Sequence, residues 1–196
     1  MRNLTEKKLR DLYLINKKSV ADIARIFKCS ERGINYWFKK YNIPKRTISE
    51  AIYIKCNPTG DPFKFIYPKD SEEAKLFGIG IGLYWGEGNK ANKNAVRLGN
   101  SDSNLIRIFI NFLIKFFNID KKDLKFHLHI FSDIDIEEAY DYWIKELKIT
   151  KKQFYKPTIT ITGKLGNYRN KSKYGVLTVI YGNTKLRNAL VGLLPM

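Results

Sequence analysis

The sequence has only two cysteines among its 196 residues, Cys29 and Cys56, and their spacing matches no metal-binding pattern. This scarcity excludes a disulfide-rich secreted scaffold and a zinc finger, and it favours a reducing compartment. No apolar run is long enough to span a bilayer, which excludes a transmembrane helix. Because the first residues pass directly into a charged helical pattern, we expect no signal peptide and a cytoplasmic protein.

Acidic residues are also scarce. Thirty-six lysines and arginines oppose 19 aspartates and glutamates, which gives a formal net charge of +17. An excess of this size predicts a polyanionic partner, of which nucleic acid is the commonest. An anionic membrane surface is the alternative, but no stretch has the pattern of a strongly amphipathic basic anchor. Apolar residues make up 44% of the chain, so we expect a folded core.

The residue pattern divides the chain into three regions. Residues 1–46 have the pattern of short helices, and residues 71–196 alternate helices with strands, so the predicted fold class is α+β. Residues 47–70 lack helical periodicity and contain four residues that favour turns, so we predict a linker there. These four residues are Pro58, Gly60, Pro62 and Pro68.

The first region carries three helix-start signals, at Thr5, Ser19 and Ser30. The small Ala24 would let the second and third helices cross closely, and Ile34 would pack back against it. This run resembles the helix-turn-helix family, although Lys28 stands where that family usually has glycine. The resemblance implies that the third helix enters the major groove of DNA. A three-helix bundle that contacts another protein is the alternative.

The exposed face of that third helix would supply the contacts to DNA. Its candidate side chains are Glu31, Arg32, Asn35, Tyr36 and Lys39.

The second region opens with a glycine-rich apolar segment, residues 77–88. Glycine costs roughly 1 kcal/mol relative to alanine inside a helix. Gly78, Gly82 and Gly86 are spaced four apart, so they would form one stripe on a helix, along which a second helix backbone could approach closely. The segment ends in Glu87 followed by another glycine.

This segment resembles the LAGLIDADG motif of homing endonucleases. Glu87 aligns with the motif's metal-binding acid, Gly82 with its helix-contact glycine and Gly86 with its other small position. The sequence departs from the motif in two ways: Trp85 replaces the first acidic residue, and glutamate replaces aspartate at the helix end. Glutamate coordinates the same hard cations, so the second change alone does not exclude catalysis.

The segments that follow fit the same family. Strands are predicted at 95–100, 124–131, 157–164 and 175–181, and helices at 104–118, 136–147 and 184–194. Two strands place apolar residues on one face and basic or hydroxyl residues on the other. The resemblance therefore implies an antiparallel, saddle-shaped sheet backed by helices, with nucleic acid in front. The helix at 136–147 is an addition to that plan, and an unrelated α+β domain is the alternative.

The resemblance also implies an activity. Since only one glycine-acid motif is present, the protein would act as a homodimer whose glycine-striped helices pack at the dyad. Two copies of Glu87 would hold divalent cations, with Mg²⁺ as the expected cofactor, and the metal would promote cleavage of phosphodiester bonds in double-stranded DNA. Candidate cations to offset charge at the phosphate are Arg97, Lys125 and Lys164.

Further side chains are candidates for contacts to DNA on the sheet and its loops. They are Lys93, His127, His129, Thr158, Thr160, Thr162, Arg169, Lys171 and Lys173. His127 and His129 would share one strand face, but no third metal ligand is evident near them, which favours contacts to phosphate or bases. Two other functions remain open: a transcriptional regulator that binds DNA without cleavage, favoured by Trp85, and an RNA-binding, maturase-like role.

Overall fold

The structure, a computed structural model, describes residues 4–161 and 172–195 and confirms the α+β class. Its contacts divide the chain into two compact units, Met1–Pro62 and Phe63–Met196, called unit 1 and unit 2 below. No helix within the described ranges is both long and apolar enough to cross a bilayer.

Unit 1 is helical. Its α-helices are α1 (Glu6–Arg10), α2 (Val20–Ile26), α3 (Glu31–Lys40) and α4 (Ile48–Cys56), and α1 continues as a π-helical segment over Asp11–Ile15. All three predicted caps are confirmed. The Thr5, Ser19 and Ser30 hydroxyls accept bonds of 3.4, 3.1 and 3.2 Å from backbone N–H groups three residues further on. Each cap satisfies a donor that the helix leaves unpaired.

The core of unit 1 contains the two residues whose packing the sequence predicted. Ala24 and Ile34 are buried in one apolar cluster with Ile23 and Phe38. Between α2 and α3, Lys28 adopts a left-handed backbone with φ of 50°. Glycine adopts this conformation without strain, whereas lysine adopts it at a small conformational cost.

Helix α4 corrects the predicted linker. Ile48–Cys56 is helical although the sequence analysis placed it in an irregular segment, and the boundary between units falls after Pro62. Thr47 and Glu50 form a capping box, in which each side chain accepts a hydrogen bond from the other residue's backbone N–H. This local start signal offsets the weak periodicity of the segment.

Unit 2 contains four α-helices and four strands in its described part. The helices are α5 (Ser71–Glu87), α6 (Ser103–Phe117), α7 (Ile136–Leu147) and α8 (Thr184–Gly192). The strands are β1 (Val96–Asn100), β2 (Lys125–Phe131), β3 (Thr158–Thr160) and β4 (Val176–Tyr181). The sequence analysis predicted every one of these strands and helices. β3 does not include residues 157 and 161, which the prediction placed in it, and residues 162–164 of the predicted range lie outside the described residues.

The sheet has the order β1-β4-β2-β3 and is mixed. β4 lies antiparallel between β1 and β2, whereas β3 pairs parallel with β2. The predicted all-antiparallel sheet is therefore wrong at β3. Parallel neighbours need a crossover connection, usually a helix, and α7 lies between these two strands in the chain. The helix that seemed an addition to the plan thus belongs to this crossover.

One face of the sheet carries the core of unit 2. Leu98, Phe126, Leu128 and Leu177 are fully buried in a cluster that includes the aromatic side of α6. α6 packs against β1 and β4, and α5 packs against α6. The alternation of apolar and polar residues along β2 is therefore confirmed as a division between this core and the opposite face.

Gly80 is the glycine of α5 that permits close packing within the chain. A Cβ at Gly80 would lie 2.2 Å from both Cγ and Cδ2 of Phe112, which is buried in α6. By contrast, a Cβ at Gly78, Gly82 or Gly86 would meet nothing within 4 Å. The predicted stripe is therefore exposed in the single chain, and Gly80, outside the stripe, makes the helix contact.

These two environments predict opposite effects of one substitution. Gly80→Ala should destabilise unit 2 by about 2 kcal/mol, because the methyl group would overlap the Phe112 ring in a packed core. Gly78→Ala, on the same helix but in open space in the single chain, should stabilise the monomer by up to about 1 kcal/mol, because alanine is the better helix former. Urea unfolding of the two variants measures both, and a loss of stability in Gly78→Ala equal to that in Gly80→Ala would contradict the assignment.

Candidate nucleic-acid interface

The third helix of unit 1 presents the predicted polar face. Arg32, Tyr36 and Lys39 are exposed on α3, while Asn35 is half-buried. Tyr36 is 62% exposed and contacts Trp37 edge to face, so it extends from the surface without joining the core. With Glu31 as its only acid, this face has the side chains suited to contacting bases and phosphates.

The polar face of the sheet in unit 2, called the open face below, points away from the core. The four strands contain no aspartate or glutamate, so the charges on their open face are positive. Arg97 and Lys125 both oppose Ile180 in the strand register, one from each side. Two strand spacings place their Cα atoms about 10 Å apart. The polar side chains of the open face are Arg97, Lys125, His127, His129, Thr158, Thr160 and Thr178, and the apolar side chains of Phe131, Val176 and Ile180 share this face.

Histidines on β2 bond to threonines on β3. The Nε2 atom of His127 lies 3.0 Å from Oγ1 of Thr158, and Nε2 of His129 lies 2.7 Å from Oγ1 of Thr160. These bonds orient both imidazoles and leave the Nδ1 atoms available to other partners. The predicted shared face of the two histidines is therefore confirmed, and the threonines predicted to bind DNA also serve to position them.

A pocket of about 520 Å³ lies between the end of α5 and the open face. The exposed carboxylate of Glu87 lines it together with the predicted cation Arg97 and with His127. Sequence reasoning missed three other polar side chains that line the pocket, Asn89, Tyr155 and Thr178. Thr178 could have been found from the alternation along β4, whereas Asn89 and Tyr155 lie outside the strands and carry no periodic signal.

Arg97 is the most unusual group in the pocket. Its Nε atom is buried and has no hydrogen-bond partner among the described residues. Glu87 lines the same pocket, yet the two side chains form no ion pair within the described part of the chain. A buried donor without an acceptor is unfavourable. Because Arg97 lines the pocket, its guanidinium could form a charge-assisted bond with an anionic ligand such as a phosphate bound there.

The loop between α5 and β1 positions Glu87 beside the sheet. Gly88 pairs with Leu98, and the backbone N–H of Asn89 donates to the carbonyl of Arg97 at 2.9 Å. Nε of Arg187 donates to the carbonyl of Asn92 at 3.0 Å, so α8 holds the same loop. Arg187 is a positioning residue that no local pattern could reveal, because its partners lie far away in the sequence. Lys93, a predicted DNA contact, is exposed on this loop.

The remaining predicted residues fall elsewhere. Lys173 lies beside Tyr174 and lines a shallow pocket with three acids, Asp133, Asp135 and Glu138, away from the open-face cations. A hydrogen bond to Tyr174 raises the pKa of Lys173, and the negative charge of Glu138 raises it further, so Lys173 stays a cation. Four other predicted residues lie outside the described ranges, namely Thr162, Lys164, Arg169 and Lys171.

Within one chain, the described residues do not assemble a metal site. No group of three histidines, cysteines, aspartates or glutamates is close enough to bind a metal ion in the described ranges. Glu87 is the single carboxylate of the pocket. Mg²⁺ binding through oxygen ligands would therefore require a second Glu87 from another chain, together with water or phosphate oxygens.

Burial lowers the pKa of His127, and repulsion by His129 and Arg97 lowers it further. The pKa of His127 in the folded chain lies below the usual 6.5. When the pH falls below 6.5, His127 therefore takes up a proton in the unfolded chain before it does so in the folded chain. Acidification through this window therefore destabilises unit 2. A bound phosphate would act in the opposite direction and favour the protonated imidazole.

We expect His127→Gln to reduce both pH effects. Between about pH 7.5 and about pH 5.5, the variant should lose less stability than the parent chain in urea unfolding, and its affinity for a DNA duplex should increase less. Thr178→Val, which changes a neighbouring open-face side chain without changing titration, is the matched control and should keep the parent's pH dependence. Equal pH dependence in the parent and His127→Gln would contradict this account.

Comparison with known proteins gives no indication of function. The chain matches no protein-family model, no curated protein and no solved structure. The open face, its pocket and the exposed side chains of α3 therefore carry the evidence for an activity.

Proposed function

We propose that this protein binds double-stranded DNA in a sequence-specific manner. The observation that carries the proposal is the open face of unit 2, a sheet surface without acids on which Arg97 has a buried, unpartnered donor. Cations on such a surface attract the phosphate backbone, while imidazole and hydroxyl groups can read base edges. The exposed Arg32 and Tyr36 of α3 would add a second set of contacts and lengthen the recognised site.

A duplex explains the composition of this surface better than a membrane does. Membrane-binding surfaces combine basic residues with a broad apolar face that enters the lipid. Polar side chains predominate on the open face. Its imidazoles, hydroxyls and two long cations can all donate hydrogen bonds, and its apolar side chains, Phe131, Val176 and Ile180, are half-buried or buried between them. The net charge of +17 adds long-range attraction to any nucleic acid.

The test is selection from a randomised duplex library, followed by binding measurements over a range of salt concentrations. If Arg97 and Lys125 each contact a phosphate, the double alanine variant should bind about 10- to 100-fold more weakly, and its salt slope should fall by about 2. Lys145→Ala, an exposed lysine on α7, is the control and should bind as the parent does. Absence of any sequence-selective retention would contradict the proposal.

We propose further that two copies of the chain act together on one duplex. The support is the exposed side of α5, where the open stripe of Gly78, Gly82 and Gly86 lies between two large exposed side chains. Ile79 is 41% and Trp85 is 56% exposed in the single chain. A second α5 packed on the stripe would cover both side chains and bring the two Glu87 residues near each other.

The dimer predicts a specific effect at the centre of the stripe. Gly82→Leu should leave the single chain folded, because a Cβ there meets no atom within 4 Å, but it should weaken dimer formation by at least about tenfold. Sedimentation with and without duplex DNA measures this. Glu72→Leu, exposed at the first turn of the same helix, is the control. A parent chain that stays monomeric even on DNA would exclude the dimer.

A second candidate function, cleavage of the bound duplex, is favoured by Glu87. Its carboxylate is exposed at the end of α5, in the pocket that also contains Arg97. If two chains place two such carboxylates together, Mg²⁺ would find the oxygen ligands it prefers and would supply activation of water. Arg97 would bind the phosphate and stabilise its developing charge. A regulator that does not cleave is the alternative, favoured by tryptophan at position 85.

Cleavage and regulation give different results with one variant. Incubation of the selected duplex with the protein and Mg²⁺ should yield double-strand breaks, and Glu87→Gln should reduce the rate by at least about 100-fold while binding is retained, because the amide loses the negative charge. Glu72→Gln, an exposed residue in the first turn of α5, is the control for a lost carboxylate on the same helix. Sequence-selective binding without breaks in the parent chain would establish the regulator.

A further inference from the structure

Helix α4 exposes an apolar face. No residue of Ile48–Cys56 is buried, although the helix is well started by its capping box. Ile48 and Ile52, one turn apart, are 82% and 57% exposed. A short helix is only marginally stable in water by itself, and such helices usually gain stability by burying an apolar face. The apolar face of α4 is therefore available to pack against another apolar surface.

This face forms one wall of a groove of about 610 Å³ within unit 1. Its apolar lining comes from α4 and includes Ile48, Ala51 and Ile52. The opposite wall comes from the start of α2, with Ser19 and Asp22. The site is therefore concave, with apolar side chains along one wall and polar groups along the other. This shape suits a helical segment that inserts one apolar side.

Basic side chains surround the groove. Lys17, Arg25, Arg46 and Lys55 line it, against a single acid, Asp22. That acid is already occupied, because Oδ1 accepts a 2.7 Å bond from Arg25 and Oδ2 accepts from Ser19. The ammonium groups of Lys17 and Lys55 form no ion pair among the described residues. The unpaired charge at the groove is therefore positive.

We propose that this groove binds an acidic amphipathic helix of a partner protein. Its apolar side chains would cover Ile48 and Ile52, and its carboxylates would pair with Lys17 and Lys55. Charge complementarity decides this occupant, because a second copy of a chain with net charge +17 would add like charge to the groove. A DNA duplex offers the isoleucines little apolar surface beyond the thymine methyl groups of the major groove, and a concave groove fits a helix better than it fits a flat membrane. The proposal is independent of DNA binding by unit 2.

The experiment uses the full chain, labelled with ¹⁵N, and synthetic peptides. The first peptide is an amphipathic helix of about 14 residues with leucine on one face and glutamate elsewhere. The second has the same leucines with lysine in place of glutamate, and the third is a scrambled version of the first. We expect the acidic helix to shift the amide signals of α4 and to bind at least about tenfold more tightly than either of the others.

Two sets of variants separate the apolar from the charged contribution. The double variant Ile48→Ser and Ile52→Ser should bind the acidic peptide at least about tenfold more weakly. Ile15→Ser, which replaces a comparably exposed isoleucine outside the groove, should bind it as the parent chain does. Lys17→Glu with Lys55→Glu should reverse the preference between the glutamate and lysine peptides. Thermal unfolding should be nearly unchanged in all these variants, because none of the replaced side chains lies in the core.

Four results would overturn the proposal. The first is equal binding of the lysine and glutamate peptides, and the second is signals that shift only outside α4. The third is concentration-dependent shifts of Ile48 and Ile52 in the chain alone, which would assign the face to a second copy. The fourth is binding to vesicles of anionic lipid through α4 without binding to the acidic peptide, which would assign it to a membrane.

Discussion

The contact between α5 and α6 is the constraint on which the rest of unit 2 depends. Gly80 lies against the Phe112 ring, so the two helices approach closely, and Tyr84 stacks on Phe109 one turn further along. This packing fixes the direction of α5 and so determines where it ends. Because Gly88 then pairs with Leu98 of β1, Glu87 lies beside the open face of the sheet.

The division of charge between the two faces of the sheet follows from that arrangement. The core face buries leucine and phenylalanine, so the charged residues, histidines and threonines of the strands are directed to the open face. With no acid on the strands, Arg97 forms no ion pair among the described residues, and its buried Nε has no partner there. The neutral form of His127 is favoured for the same reason, since burial and neighbouring cations both oppose its protonation. The proposed DNA duplex would supply this surface with the anions that the strands lack.

The outcomes at particular elements show what sequence reasoning can reach. α7 occupies the predicted range, and β2 has the predicted faces, because amphipathic periodicity reports burial directly. The prediction that β3 runs antiparallel to β2 is wrong, although the helix between these strands favours a parallel pair. The glycine stripe was recognised by spacing alone, yet Gly80 makes the contact within the chain. α4 was missed because its apolar face is short and the prolines and glycine that follow it favoured a linker.

The sequence by itself determined the excess of positive charge, the helix caps, the segments that form strands and the alternation of their faces. Each of these depends on composition or on neighbours within a few residues. Only the tertiary structure decided which residues meet: Glu87 with Arg97 and His127 in one pocket, and Arg187 with the loop before β1. These groups come from elements far apart in the chain, and their meeting depends on strand order and on the angle at which helices pack, neither of which is encoded locally.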